Sequence, residues 1–247
     1  AWGLVRFTPT QNADVRRLTA ASNEMPILVE ARLWLGRALL ARGETPGAIV
    51  QLKTAVELSH SVENLVALGG AYERASSLQE ALEAYRAAAE ADPKSAEPQE
   101  KIGYLLAQNG RCDQAIPALQ RAIELAPRSS GVRTALAECT ARQGKHDEAV
   151  KLYQALLRAD PKAVQAYYLL ARSLHESKGA AAALPYYERA AREEPANPMP
   201  HYYLAYAYKV KGQRALAIQE FKAFLARKPD APERKDIEAE IEDLGGK

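Results

Sequence analysis

Pro93, Pro127, Pro161, Pro195 and Pro229 stand 34 residues apart. A spacing held through five prolines constrains the fold more than any other feature, because it is the mark of one supersecondary unit repeated along the chain. Other positions keep the same step. Ala81, Ala115, Ala149, Ala183 and Ala217 lie twelve residues before those prolines, and Tyr85, Leu119, Tyr153, Tyr187 and Phe221 lie eight before them. Leu68-Gly69, Ile102-Gly103, Leu136-Ala137, Leu170-Ala171 and Leu204-Ala205 recur in phase. Within a unit the apolar residues follow the helical period: Leu65, Leu68, Gly69 and Tyr72 form an i, i+3, i+4, i+7 stripe. The composition agrees, since 47% of residues are hydrophobic and Ala and Leu, both strong helix formers, dominate that set.

A Leu-Gly, aromatic, Ala and Pro signature at this period resembles the tetratricopeptide repeat family. The resemblance covers about nine-tenths of the chain, as six repeats at 29–61, 62–95, 96–129, 130–163, 164–197 and 198–231. The first carries Leu35-Gly36, Ala48, Leu52 and Ala55 in register, with His60 in place of the terminal proline. The resemblance implies an all-α fold, a right-handed superhelical solenoid of antiparallel helix pairs. Residues 1–28 read as an N-terminal partial repeat or cap from a longer array, with Leu18 and Ala21 on a second helix and Pro26 at the terminal position. Residues 232–247 read as a polar capping helix and tail.

Local signals punctuate the same frame. Gly43, Gly110, Gly144 and Gly212 recur where the two helices of a repeat must turn, a place for positive φ. Asn197-Pro198 reads as an N-cap followed by proline at the first helical position. Ser77 with Glu80 reads as a capping box.

Motifs that carry chemistry are missing. The chain has no Gly-rich phosphate loop followed by a helix, no Cys-x-x-Cys pair, no His-Glu-x-x-His and no Gly-x-Ser-x-Gly elbow. No catalytic residue, metal ligand or cofactor is therefore assigned. His146 takes the register position of Leu78 and Cys112, and His201 that of the signature Trp, so both are read as packing residues. Cys112 and Cys139 are expected to lie close together as reduced core thiols. A bond between them would instead point outside the cytosol. The compartment stays open between cytoplasmic and secreted or periplasmic, with no signal-peptide pattern or apolar run long enough to span a membrane.

Function is then expected of the surface. The 33 basic and 31 acidic residues leave a net charge of +2, which gives no basic excess for nucleic acid and no reason to expect a membrane partner. In the family, the first helix of each repeat lines the concave groove where ligands lie. The second, fifth, ninth, twelfth and thirteenth residues of each repeat share that face. They place Tyr168, Arg172 and His175 one repeat before Tyr202, Tyr206 and Lys209, with Tyr104 and Arg142 upstream. Glu63, Glu73, Glu97 and Glu100 make the N-terminal part acidic. The Lys and Asn pattern of the family's chaperone-carboxylate clamps is not matched. The expected function is a non-catalytic scaffold that binds a protein or peptide segment bearing an acidic group. The alternative is the recognition arm of a larger enzyme or assembly factor. The oligomeric state is not readable.

Overall fold

Every periodic Ala/Leu-rich segment is helical in the computed structural model, which describes Val15, residues 18–20, Asn23 and residues 28–246. The expected places of Ala21 and Pro26 lie outside those residues. The helices are α1 (Val29–Ala41), α2 (Thr45–Leu58), α3 (Val62–Arg74), α4 (Leu78–Ala91), α5 (Glu97–Gln108), α6 (Cys112–Leu125), α7 (Ser130–Arg142), α8 (His146–Ala159), α9 (Gln165–Lys178), α10 (Ala180–Glu193), α11 (Pro198–Val210), α12 (Arg214–Arg227) and α13 (Arg234–Asp243). No strand occurs among the described residues. Within each repeat a short turn lays the second helix back against the first. This is the all-α helix-pair fold expected from the sequence.

The chain forms two compact units, Ala1–Pro127 and Arg128–Lys247. In the first, each helix from α1 to α6 packs on the next, and α1 touches α3 as α3 touches α5. In the second, α7 to α13 pack in the same sequential way, with α7 also touching α9. Within each unit the repeats thus bury their apolar stripes against their chain neighbours, the quasi-one-dimensional arrangement of repeat proteins.

The 34-residue step has a packing cause. Ala48, Ala81, Ala115, Ala149, Ala183 and Ala217 are all 0% exposed. At this position a larger side chain would push the helix pair apart. Tyr85, Tyr153, Tyr187 and Phe221 fill the matching register on α4, α8, α10 and α12 and are fully buried. In repeats 1 and 3 the same register is held by Leu52 and Leu119, also fully buried. Leu18 is buried with Leu35, Leu39 and Ala48.

Turns and caps follow local chemistry. Gly43, Gly110, Gly144 and Gly212 all have positive φ, as expected, and Gly179 joins them. There α9 runs through Lys178 and a single glycine leads into α10. In repeat 2 the turn has no glycine, and Ser76 takes φ 59° instead. A left-handed non-glycine residue is strained by roughly 1–2 kcal/mol, partly offset by the extra unfolded-state entropy of glycine. Ser76→Gly should therefore raise stability by about 0.5–1 kcal/mol in urea denaturation. A loss of stability would show that the Ser76 side chain contributes more than its backbone costs.

Asn197 caps α11 as expected, accepting from the Met199 N–H at 3.1 Å. The capping box does not form: the Ser77 side chain accepts no cap hydrogen bond at the start of α4. The cap that does form with a serine is Ser61 on α3, which accepts from the Asn64 N–H at 3.2 Å. Asn64 is buried, and its amide donates to the carbonyls of Ser59 at 2.9 Å and Ala55 at 3.2 Å, tying off the end of α2. The prolines follow second helices, and at 92–94 and 160–162 the aspartate before the proline accepts from the lysine N–H after it.

The expectation of reduced cysteines is corrected. Cys112 and Cys139 are both buried, and both are disulfide-bonded. Sequence alone gave the thiols and their burial; bonding depends on a three-dimensional approach that spacing does not specify.

Candidate binding groove

The eight expected groove residues fall into different settings. Tyr104 lies on α5 in the first unit and is partly exposed. The other seven belong to the second unit. Arg142 is exposed near the end of α7. Tyr168, Arg172 and His175 project from α9, and Tyr202, Tyr206 and Lys209 from α11.

On α9 the triplet is held by an aromatic cluster. Tyr187 of α10 and Tyr203 of α11 stack with centroids 5.2 Å apart and planes within 3°. Tyr168 leans on both, at 6.3 and 6.2 Å. His175 meets both edge-on, at 6.2 and 5.9 Å. Offset and edge-to-face pairs of this kind each add a fraction of a kcal/mol to about 1.5 kcal/mol beyond simple burial. Arg172 is exposed, and its guanidinium lies 5.8 Å from the Tyr168 ring centroid. Burial pushes the Tyr168 hydroxyl up to about 12, while the Arg172 charge pulls the other way. Tyr168 therefore remains a neutral phenol at any physiological pH.

The α11 triplet is packed toward the end of the unit. Tyr202 meets Tyr206 at 5.0 Å and Phe224 at 5.3 Å, and Tyr206 meets Phe221 edge-on at 5.1 Å. Both tyrosines join the apolar cluster that contains Ile237 and Ile241 of α13. Burial, followed by the hydrogen bond with Tyr206, lifts the Tyr202 hydroxyl to about 12. Lys209 is ion-paired with Glu240 of α13. The last helix thus engages the cation expected to meet a ligand.

A pocket of about 150 Å³ opens between α7, α8 and α9. Glu138 and Arg142 of α7 face Leu169, Arg172, Ser173 and Glu176 of α9 across it, and His146 and Tyr153 of α8 close it from below. Tyr153 is 1% exposed. Its hydroxyl is pushed up first by burial, then by Glu138, against the opposing pull of Arg172 and Arg142. His146 Nδ1 is buried and has no hydrogen-bond partner among the described residues. Sequence reading placed Arg142 and Arg172 on one face but took His146 for packing. The signal was its polarity at a register filled by Leu78 and Cys112. Tyr203, at the centre of the aromatic cluster, precedes a core leucine and falls outside the groove stripe, so helical register carries no signal for it.

His201 is buried as expected, yet it is more than a packing residue: its Nδ1 lies 2.6 Å from Glu220 Oε2. In the first unit an open groove of about 680 Å³ lies between α4, α5 and α6, over Ile102 and Leu106. Among the described residues, no group of three His, Cys, Asp or Glu side chains could hold a metal ion, and no helix is long and apolar enough to cross a membrane.

The fold and its repeated register are those of a helical-repeat scaffold. Residues 59–96, 101–164, 141–198 and 168–232 match the model of the tetratricopeptide repeat, and the chain belongs to that family. Among solved structures it is similar to YrrB, described as a TPR protein with an unusual peptide-binding site, at 22% identity and a TM-score of 0.65, over 79% of this chain and 99% of that one. It is similar to PilF of Pseudomonas aeruginosa at 24% identity and a TM-score of 0.71, over 89% and 99%. The C-terminal part of a TPR repeat-containing protein from Cytophaga hutchinsonii shares 16% identity at a TM-score of 0.76, over 90% and 92%. At these identities the likeness is one of fold. No curated protein matches the chain. Tetratricopeptide repeats are in general non-catalytic scaffolds that bind protein or peptide partners.

Proposed function

We propose that this chain is a scaffold that binds an extended or short helical peptide segment bearing an acidic group, along the first-helix face of repeats 4 and 5. The observation that carries this reading is the presence of two guanidinium groups from successive repeats, Arg142 and Arg172, at one pocket. The second lies over the Tyr168 ring. Arginine held against an aromatic face loses less freedom on binding and can take a carboxylate through two hydrogen bonds. The acidic group meets Arg172 at the rim, on the Tyr168 side. Tyr202, Tyr206 and Lys209 contribute less than their register suggests, because α12 and α13 already occupy them. The disulfide-bonded state of Cys112 and Cys139 supports work in an oxidising compartment, outside the cytosol. A nucleic-acid or membrane partner has no basic excess to draw on, at a net charge of +2.

The test uses a randomised peptide library screened on the whole chain, with the retained acidic peptides measured by fluorescence anisotropy. Arg172→Ala should weaken them by more than about tenfold, or 1.4 kcal/mol, with the melting curve nearly unchanged because the residue is exposed. Raising the salt concentration should narrow the difference. If Arg172→Ala binds as tightly as the parent while Glu63 or Glu100 variants do not, the ligand lies in the first unit and the proposal fails.

A further inference from the structure

The rim of the α7–α8–α9 pocket is electrically balanced. Glu138 and Arg142 stand four residues apart on α7, and Arg172 and Glu176 four apart on α9. Such i, i+4 placements bring opposite charges onto one helix face. A charged group that passes below the rim therefore loses its water without meeting a net countercharge, which makes entry costly, whereas one held at the solvent side of Arg172 keeps much of its water. Beneath the rim the groups are polar and include no carboxylate, ammonium or guanidinium. They are the unpartnered His146 Nδ1, the buried Ser173 and the buried Tyr153 phenol. A buried polar atom without a partner is a standing cost that a ligand able to hydrogen-bond removes.

The geometry points to a site for the primary amide side chain of asparagine or glutamine on the bound segment. An amide offers both a carbonyl acceptor and an NH₂ donor. It can accept from the guanidinium or hydroxyl side while donating toward His146 Nδ1 or Glu138, and it brings no charge. The volume suits it: a cavity of roughly this size holds benzene, with its six heavy atoms, and a glutamine side chain has one fewer. This inference rests on the face of repeats 4 and 5 being the peptide-binding face. It adds that the pocket reads a neutral polar side chain beside the acidic group held at Arg172.

The experiment titrates the whole chain with three probes that differ only in side chain: the N-acetyl methylamides of L-glutamine, L-glutamate and L-lysine. Backbone amide shifts of Leu169, Ser173 and Glu176 are followed by ¹H–¹⁵N NMR. The glutamine probe should give saturable shifts, with the glutamate and lysine probes at least about tenfold weaker. His146→Leu, which installs the residue that repeat 2 carries at this register, should keep or raise its melting temperature and lose the preference for glutamine. Ser173→Ala gives a second check should that variant fold poorly. Equal response to all three probes, tighter binding of glutamate, no response at all, or an unchanged preference in His146→Leu would each overturn the amide site. The peptide reading fails on a separate result, the indifference of acidic peptides to Arg172→Ala.

Discussion

Replacing Tyr187 by Ala should destabilise the protein by about 3–5 kcal/mol, the range for removing a buried aromatic side chain, whereas Tyr187→Phe should stabilise it by about 1 kcal/mol. The ring is fully buried, stacked on Tyr203 and flanked by Tyr168 and His175, so its loss opens a cavity between α9, α10 and α11. The hydroxyl is a different matter. It is buried and has no hydrogen-bond partner among the described residues. Burial, reinforced by Tyr203 and Tyr168, pushes its ionisation well above the ordinary phenol range, so it stays neutral. A buried polar group without a partner costs about 1–3 kcal/mol, and phenylalanine keeps the ring while removing that group. Tyr85 supplies the control. It holds the same register in repeat 2, but its hydroxyl donates to Glu73 at 2.9 Å. Tyr85→Phe should therefore lose about 1 kcal/mol. Urea denaturation of the three variants reads the signs directly. A loss of stability in Tyr187→Phe would mean that its hydroxyl finds a partner in solution.

Gly69→Ala and Gly70→Ala should move stability in opposite directions although the residues are adjacent on α3. A Cβ at Gly69 would lie 2.4 and 2.6 Å from ring carbons of Tyr85, closer than carbon atoms approach. The ring is fully buried and anchored through its hydroxyl, so α3 and α4 must separate, at about 1–3 kcal/mol. Repeats 4, 5 and 6 carry Ala137, Ala171 and Ala205 at this register. A wider helix spacing is thus attainable in the fold, and the cost should sit toward the low end. At Gly70 the added Cβ meets only the Tyr85 hydroxyl, at an ordinary 3.7 Å. There the substitution removes a flexible residue from a helix interior and should gain about 0.5–1 kcal/mol. Two denaturation curves decide it; equal shifts in one direction would mean that helix propensity alone governs both sites.

The two glycines also show where sequence reasoning reaches its limit. The 34-residue period singled out Gly69, because small residues recur there in phase. It had nothing to say of Gly70, which repeats with nothing. Periodic information is strong for the core because each repeat solves the same packing problem, and the same solution is written several times. Helix count and the all-α class, the alanine at each helix crossing and most of the turn glycines were legible for that reason.

What a single repeat does differently was not legible. Asn64 fastening the end of α2, the one-residue turn at Gly179, the unformed cap at Ser77 and the bonded cysteines occur once each, and each depends on an approach between particular atoms. The binding face divides along the same line. By itself the sequence determined which residues share the first-helix stripe, since helical spacing fixes the face. Only the tertiary structure decided that Lys209 and its neighbouring tyrosines are engaged by the last two helices, and that Arg142, Arg172 and an unpartnered His146 meet at one pocket. Side-chain partnership is a matter of distance between elements, and distance is set by packing rather than by register.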